Sequence, residues 1–446
     1  MTDANSAVAA SDDILHESNI TLMQWVILLL CMIASMIDGF DIVIIAYSAP
    51  AISQDWGISA KALGVVLSAG LLGMTVGAML LSWVADRYGR CKVTSLALFV
   101  AGLATAAVIY TDTVTELVVL RLIAGLALGV LVAALPTLVG EFSPRRHRTL
   151  IVSTLIAAAS AGAVIGGLIC AALIADHGWQ SIFLYAGVLS LVLSVLIQLV
   201  IPESIAFTIK RKPEGVLEKI NRTLVQIGQA PIEQLPPVSA AASQESATVL
   251  SLLTPARRAT TLLSWTAFFF GFVVVYFLSS WMPQILVKAG MTQAQAIQAT
   301  AVIPFGSIIG TVLIGWLAKW RQLGRLIAIA FVIGALCIFA FSSILHDLAS
   351  LSVAMIWTML FMIGVSLMGA FSNLYALALT VYPVQIRSTG VGWSAGLGRA
   401  GAVISPTIAG VMIGMGVSMP SLFLYFAIPA FVSALCVSFI RMQELP

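Results

Sequence analysis

Long apolar runs separated by short polar breaks dominate the chain. A helix needs roughly 20 apolar residues to cross the hydrocarbon core of a bilayer. On that measure the pattern predicts twelve spans, over 23–48, 60–84, 93–111, 115–141, 149–175, 179–201, 258–287, 293–319, 323–344, 348–381, 388–415 and 419–440. One break is long, from Pro202 to Thr254. It holds Pro236-Pro237 and the stretch Ser239-Ala-Ala-Ala-Ser-Gln-Glu-Ser246, a composition that reads as flexible linker. Within it Leu217, Ile220, Leu224 and Ile227 recur at helical spacing with Lys219 and Arg222 between them, which predicts a short amphipathic helix lying on the membrane surface. The expected organisation is an N-terminal tail (1–22), a six-helix bundle (23–201), a linker (202–257), a second six-helix bundle (258–440) and a C-terminal tail (441–446). The fold class is an all-α membrane protein.

Composition agrees: 60% of the 446 residues are hydrophobic and 9% charged, against about 25% charged in soluble domains. No basic patch suited to nucleic acid is present. Residues 1–20 contain no Lys or Arg, so they lack the basic start of a cleaved signal peptide, and the first apolar run is expected to be retained. Cys31, Cys91, Cys170, Cys337 and Cys436 form no CxxC pair and read as small apolar packers. His16, His147, His177 and His346 all fall outside the spans, which leaves no imidazole for a proton relay within the bilayer.

Basic residues set the orientation. Of the 22 Lys and Arg, Lys61 and Lys288 fall in one set of loops and Arg121 and Arg399 fall within spans; all the others lie in the opposite loops, the linker or the C-terminal tail. The positive-inside rule then puts both termini in the cytoplasm. The halves also repeat. Ser82-Trp-Val-Ala-Asp86-Arg87-Tyr-Gly89-Arg90 after span 2 resembles Gly315-Trp-Leu-Ala-Lys319-Trp-Arg321-Gln-Leu-Gly324-Arg325 after span 8. Pro144–Arg148 after span 4 resembles Pro383–Arg387 after span 10, and Ala161-Gly-Ala-Val-Ile165 recurs as Ala400-Gly-Ala-Val-Ile404. Parallel halves of this kind place a substrate site at their interface near mid-membrane.

Four ionisable residues stand out inside the spans. Asp38 and Asp41 lie in the first span, three residues apart on one helical face. A charge at that depth costs at least ~2.5–3.5 kcal/mol and marks a bundle interior or an aqueous cavity. With a rise of about 1.5 Å per residue, Asp41 and Arg121 lie at matching depth and are expected to pair, with Asp38 nearer the midplane. Arg399 sits near the middle of span 11 with no acid on its own or neighbouring spans. Its planar fork suits a carboxylate; the alternative is an Arg that snorkels or caps backbone carbonyls. Asp41 is expected to carry the proton, Arg121 to modulate it, and Asp38 to act as a coupled second acid that also faces the substrate. A purely structural Asp41–Arg121 pair is the alternative. The aromatics of span 7 (Phe268, Phe269, Phe270, Phe272, Tyr276, Phe277, Trp281) read mostly as lipid-facing or interfacial, with Tyr276 alone lining a cavity. Gly70, Gly73 and Gly77 form a small-residue face for close helix packing. At the cytoplasmic ends of spans, Asp86, Arg87, Arg90, Glu141 and Arg148 are either solvated loop charge or a latch of ion pairs that closes the cytoplasmic side.

These features resemble the major facilitator superfamily. Asp86-Arg87-Tyr-Gly89-Arg90 is similar to its GxxxDRxGRR/K signature, with Ser82 in place of the leading Gly and Lys319 in place of the acid in the second copy. Arg121-Leu-Ile-Ala-Gly125-Leu-Ala-Leu-Gly129 resembles RxxxGxxxG on span 4, and Glu141-Phe-Ser-Pro144 and Pro202-Glu203-Ser204 are similar to further family patterns. More narrowly, Asp38-Gly-Phe-Asp41, Tyr276-Phe-Leu-Ser-Ser-Trp281-Met-Pro283 and Arg387-Ser-Thr-Gly390-Val-Gly392 leading to Arg399 resemble the aromatic acid:proton symporter branch. Relatives there carry benzoate, hydroxybenzoates, protocatechuate, phenylpropionates or muconate. The resemblance implies two pseudo-symmetric six-helix bundles and import of a small aromatic carboxylate with a proton. Asp86, Arg87, Gly89, Arg90, Glu141, Arg148 and Arg387 would form the cytoplasmic gate. The expected partners are the substrate, protons and the lipid bilayer, with the chain acting as a monomer in the inner membrane. No GxxxxGK[ST] loop is present, so the proton gradient is the expected energy source and no cofactor or metal is called for. A sugar or aliphatic carboxylate as substrate, and export in place of import, remain alternatives. An enzyme is not expected, since the spans hold no nucleophile–base pair or metal-ligand cluster.

Overall fold

A computed structural model describes residues 20–81, 83–144, 146–211, 215–234, 249–255, 257–345, 351–383 and 386–440. The two tails and the Pro236–Ser246 stretch of the linker lie outside the described residues. Twelve helices are long and apolar enough to span a membrane: Leu22–Trp56, Ala60–Leu80, Arg90–Tyr110, Val114–Phe142, Leu150–Ile174, Trp179–Val200, Arg258–Lys288, Gln293–Leu317, Leu323–Ile344, Val353–Val381, Thr389–Gly414 and Met419–Phe439. These are spans 1 to 12. Among the described residues there is no strand.

Local sequence accounts for where the spans begin and end. Spans 1, 4 and 8 each open on a reciprocal cap, Thr21 with Gln24, Thr113 with Glu116 and Thr292 with Gln295, the S/T-x-x-E/Q pattern that satisfies two orphan N–H groups at once. Span 1 departs most from expectation. It continues through Pro50 to Trp56 and stops at Gly57, whose φ of 61° supplies a left-handed cap. Its polar overhang is not stranded, because Asp55 accepts a hydrogen bond from Trp179 Nε1 at 3.1 Å. Span 2 ends at Leu80, short of the expected 84, and a separate short helix, Trp83–Tyr88, follows.

Glycines decide which spans approach closely. A Cβ on Gly73 or Gly77 would lie 2.3 Å from the Leu122 carbonyl oxygen or 2.1 Å from that of Leu126. One on Gly125 or Gly129 would lie 2.1 Å from the Gly70 oxygen or 2.3 Å from that of Met74. Spans 2 and 4 therefore touch backbone to backbone, the packing that small residues permit where lipid gives no hydrophobic drive to associate. The second half repeats the device between spans 8 and 10. Gly310 lies 1.9 Å, at its absent Cβ, from the Val365 oxygen, and Gly364 2.2 Å from that of Ile303. A π-helical turn over Gly364–Met368 adjusts span 10 at this contact. Gly125→Leu is thus expected to lower the yield and thermal midpoint of the purified protein sharply, since overpacking costs ~1–3 kcal/mol or more. Gly315→Ala, where an added Cβ meets nothing within 4 Å, is the control and should leave both unchanged. Equal stability of the two variants would contradict this packing.

The halves meet at one end of the bundle and part at the other. One face of span 11 carries Gly392, Gly396, Arg399, Pro406 and Gly410 at helical spacing. At its far end this face is clamped to span 2. A Cβ on Gly64 would lie 2.7 Å from the Pro406 oxygen, one on Gly410 would lie 2.5 Å from the Ala60 oxygen, and Thr407 Oγ1 donates to Ser68 Oγ at 2.8 Å. Spans 5 and 8 meet at the same end through Gly167 and Ala301. At the end bearing the basic loops, a Cβ on Gly392 or Gly396 would meet nothing within 4 Å among the described residues. The space between the halves therefore opens toward the basic end.

The linker helix forms over Val216–Gln226, but protein covers the apolar face that was expected to meet a membrane surface. Its apolar face, with Ile220, Leu224 and Ile227 fully buried, packs into the core of the first half with Ile27, Leu28 and Phe142. Thr21 donates to the Ile227 carbonyl, and Gln229 Nε2 donates to Gln24 Oε1 at 3.0 Å. An apolar helical stripe is satisfied equally by lipid or by protein, and here the exposed end of span 1 offers protein.

Candidate functional site

The Asp38-Gly-Phe-Asp41 turn points its four residues at different neighbours. Gly39 presses on span 5, where a Cβ would lie 1.9 Å from the Ala159 oxygen, and the Phe40 ring fills the space left by Gly166 of the same span. Asp41 turns into its own half. Arg121 of span 4 grips it with a fork, Nη2 to Oδ2 at 2.6 Å and Nη1 to Oδ1 at 3.1 Å, and Nη2 also donates to the Asp41 main-chain oxygen at 3.0 Å. Thr105 of span 3 adds a third donor to Oδ1 at 3.2 Å. Arg121 is 2% exposed and Asp41 6%, so the pair is desolvated and owes its persistence to this bidentate geometry. The Phe183 ring lies 6.0 Å from the guanidinium carbon. The depth match between Asp41 and Arg121 thus ends in contact.

Asp38, 8% exposed, faces the other half, and its Oδ1 has no hydrogen-bond partner among the described residues. Across the interface stands Arg399. The two lie close enough for each charge to act on the other, yet no ion pair joins them. Tyr276 of span 7 is within electrostatic reach of both, and Tyr375 of span 10 is within reach of Arg399 and Tyr276. Arg399, Tyr276 and Tyr375 are each only half-buried, as side chains bordering the open space between the halves would be.

Aromatic rings wall this cluster. Phe272 stacks on Tyr276 (centroids 5.8 Å apart) and meets Phe371 edge-on at 4.7 Å, while Phe268 meets Tyr375 edge-on at 5.1 Å. Gly398, beside Arg399, makes room: its Cβ would lie 2.6 Å from the Phe272 ring. The expected lipid-facing role of span 7 is corrected here. Phe268, Phe272, Phe277 and Trp281 are 1%, 4%, 0% and 1% exposed. They interleave with spans 10, 11 and 12, Phe277 stacking on Phe426 at 4.0 Å and Trp281 Nε1 donating to the Pro406 oxygen at 3.0 Å. Tyr276, expected to line a cavity, is not among the lining residues of the cavities described, and Tyr375 is its companion within reach of Arg399.

A cavity of about 160 Å³ adjoins the cluster on the side away from the basic end. Gly39, Ser160, Ser279, Thr300 and Met368 are among its lining residues, drawn from both halves. Neither Arg399 nor Asp38 is among its lining residues, but Gly39, next to Asp38 in the chain, is. A cavity of about 150 Å³ is enough to hold a benzene ring. Ser160 stands at the repeat position of Arg399, as the match of 161–165 with 400–404 shows. The repeat was therefore the signal that could have found it. Nothing in the sequence singled out Thr105 or Tyr375, whose neighbours come from other spans.

The described contacts of the charges at the basic end each stay within their own half. Arg90, opening span 3, is ion-paired with Glu141 near the end of span 4. Gly89 adopts a φ of 111°, and a Cβ there would lie 2.3 Å from Glu203 Oε2. Both its backbone and its neighbour therefore demand glycine. Glu203 also accepts from Cys91 N at 3.1 Å. Arg87 lies over the Trp83 and Tyr88 rings. Arg148 reaches the Ser143 oxygen at 3.4 Å, and Arg387 donates to the Tyr382 oxygen at 3.3 Å. The side chain of Asp86 lies outside the described residues. In this conformation the Arg90–Glu141 pair ties span 3 to span 4 and does not bridge the halves.

Two pseudo-symmetric helical bundles, joined at one end and parted at the other around a buried charged cluster, have the build of a membrane transporter, not of an enzyme. The chain belongs to the Major Facilitator Superfamily, whose family model matches residues 31–406. It is 34% identical over 419 residues to a gallate transporter of Pseudomonas putida, covering 94% of this chain and 92% of that protein. It is 32% identical to the 4-hydroxybenzoate transporter PcaK of Pseudomonas aeruginosa, covering 91% and 90%. Among solved structures, the xylose transporter XylE of E. coli in an inward open conformation superposes with a TM-score of 0.73 at 17% identity, covering 94% of this chain and 97% of that one. That likeness concerns the fold.

Proposed function

We propose that this protein is a proton-coupled symporter that imports a small aromatic carboxylate across the cytoplasmic membrane by alternating access. The observation that carries the reading is Arg399, a cation at mid-span with no ion partner among the described residues, walled by Tyr276, Tyr375 and Phe272. A guanidinium fork binds a carboxylate bidentately, the ring faces suit an aromatic body, and the adjoining cavity has room for one ring. The gallate and 4-hydroxybenzoate named for two relatives support this substrate class.

The basic loops put the open end toward the cytoplasm, so the conformation described above is inward-facing. Asp41 carries the proton. The Arg121 fork on Asp41 opens when the proton is taken up and closes when it is released. Asp38 is the coupled second acid. The Arg90–Glu141 pair, with Asp86, Arg87, Gly89, Arg148 and Arg387, sets the balance between inward- and outward-facing states. The chain acts as a monomer and draws its energy from the proton gradient without a cofactor.

The test is uptake into proteoliposomes with an imposed pH gradient. Accumulation of radiolabelled 4-hydroxybenzoate in the alkaline interior, competed by other aromatic carboxylates and not by xylose or succinate, is the expected result. Equal competition by the sugar or the aliphatic acid would overturn the substrate class. Proton-driven extrusion without uptake would overturn the direction.

A further inference from the structure

Asp38 and Arg399 present an unmet pairing. An acid and a cation from opposite halves stand within electrostatic reach, but neither closes on the other, and Asp38 Oδ1 is buried without a donor. A buried acceptor left unmade is costly, and a buried charge more so. Three residues along the same helix, Asp41 is saturated by Arg121 and Thr105. The contrast marks Asp38 as an acceptor held in reserve. Gly39, its neighbour in the chain, lines the ring-sized cavity between the halves.

We infer that Asp38 accepts a hydrogen bond from a ring hydroxyl of the substrate, so that the site selects hydroxylated aromatic carboxylates over the bare ring acid. The inference rests on the reading of Arg399 as the carboxylate receptor. One molecule then completes both halves of the unmet pair: its carboxylate takes the Arg399 fork and its hydroxyl proton points at Asp38. A ring without a hydroxyl satisfies Arg399 and leaves Asp38 as it stands. Sites built to bind a substrate hydroxyl discriminate strongly against the analogue that lacks it, because the protein group is then left unpaired. Closure of the halves around such a molecule is favoured by contacts on both sides of the interface.

The experiment measures binding by the purified full-length protein, calorimetrically and by thermal shift, so that loss of proton coupling does not enter. The ligands are benzoate, 3- and 4-hydroxybenzoate, 3,4-dihydroxybenzoate and 4-methoxybenzoate. For the wild type, at least one hydroxylated acid is expected to bind about tenfold or more tighter than benzoate, the worth of a hydrogen bond to a charged group. The methoxy acid, which has no proton to donate, should bind no better than benzoate. Asp38→Ala should close the gap, so that the hydroxylated acids bind the variant no tighter than benzoate does. The proposal is overturned if 4-methoxybenzoate binds as tightly as the best hydroxylated acid, a result that needs no variant. It is also overturned if Asp38→Ala weakens benzoate and hydroxybenzoate alike. If the wild type binds none of these acids, or Arg399→Lys leaves their affinities unchanged, the carboxylate reading fails and this inference falls with it.

Discussion

Asp41→Asn is expected to abolish accumulation driven by a pH gradient while exchange of substrate across the membrane stays measurable. Asn has the shape of Asp and keeps an acceptor for Thr105 and for one N–H of Arg121, but it takes up no proton in the working range. Removing one partner of a buried ion pair outright costs ~3–5 kcal/mol. The retained acceptor makes Asn the milder substitution, and Asp41→Ala the one expected to lose folded protein. Exchange requires only that the loaded carrier reorient, so it persists. Net concentration requires that a proton move with the substrate, so it fails. The measurements are accumulation under an imposed pH gradient and counterflow with no gradient, in the same vesicles. If Asp41→Asn still concentrates substrate, Asp41 is not the proton carrier. If Asp38→Asn alone uncouples, the two acids exchange roles.

Arg399→Lys is expected to weaken binding of aromatic carboxylates by ~10–100-fold with folding retained. A hydrogen bond to a charged group contributes about 1.5–3 kcal/mol, and each 1.4 kcal/mol is a factor of ten. Lysine keeps the charge but loses the planar fork. Because Arg399 is half-buried and holds no ion pair among the described residues, the thermal midpoint of the empty protein should not move. The ligand-induced shift should shrink, since a ligand at 100 times its dissociation constant stabilises by ~2.7 kcal/mol. Wild-type affinity in Arg399→Lys would remove the central support for an anionic substrate.

Much of this protein was legible without coordinates because a bilayer makes sequence act as a ruler. Span number and the two-bundle plan follow from the length of apolar runs. The Asp41–Arg121 contact follows from counting residues to a common depth. The small-residue face Gly70, Gly73 and Gly77 announced a close helix neighbour, and the packing against Leu122, Gly125 and Leu126 is that neighbour. Each of these rests on one dimension, position along a span.

What the tertiary structure decided depends on the directions across the membrane plane. Lipid tails are as apolar as a protein core, so hydrophobicity does not tell Phe272, buried against Phe371 and Gly398, from a ring facing lipid. For the same reason the stripe Ile220, Leu224 and Ile227 does not say whether a membrane or the first bundle will cover it. Asp38 and Asp41 share a helical face, yet a turn of 60° sends one to Arg121 within its half and the other toward Arg399 across the interface. Tyr375 joins Arg399 because spans 7, 10 and 11 converge there. Which end stands open is a choice between two packings of the same residues: Gly410 is clamped on Ala60 while a Cβ on Gly396, on the same face, would meet nothing within 4 Å among the described residues. Sequence by itself determined the depth of each charged group. Only the packing of one half on the other decided what each of them faces.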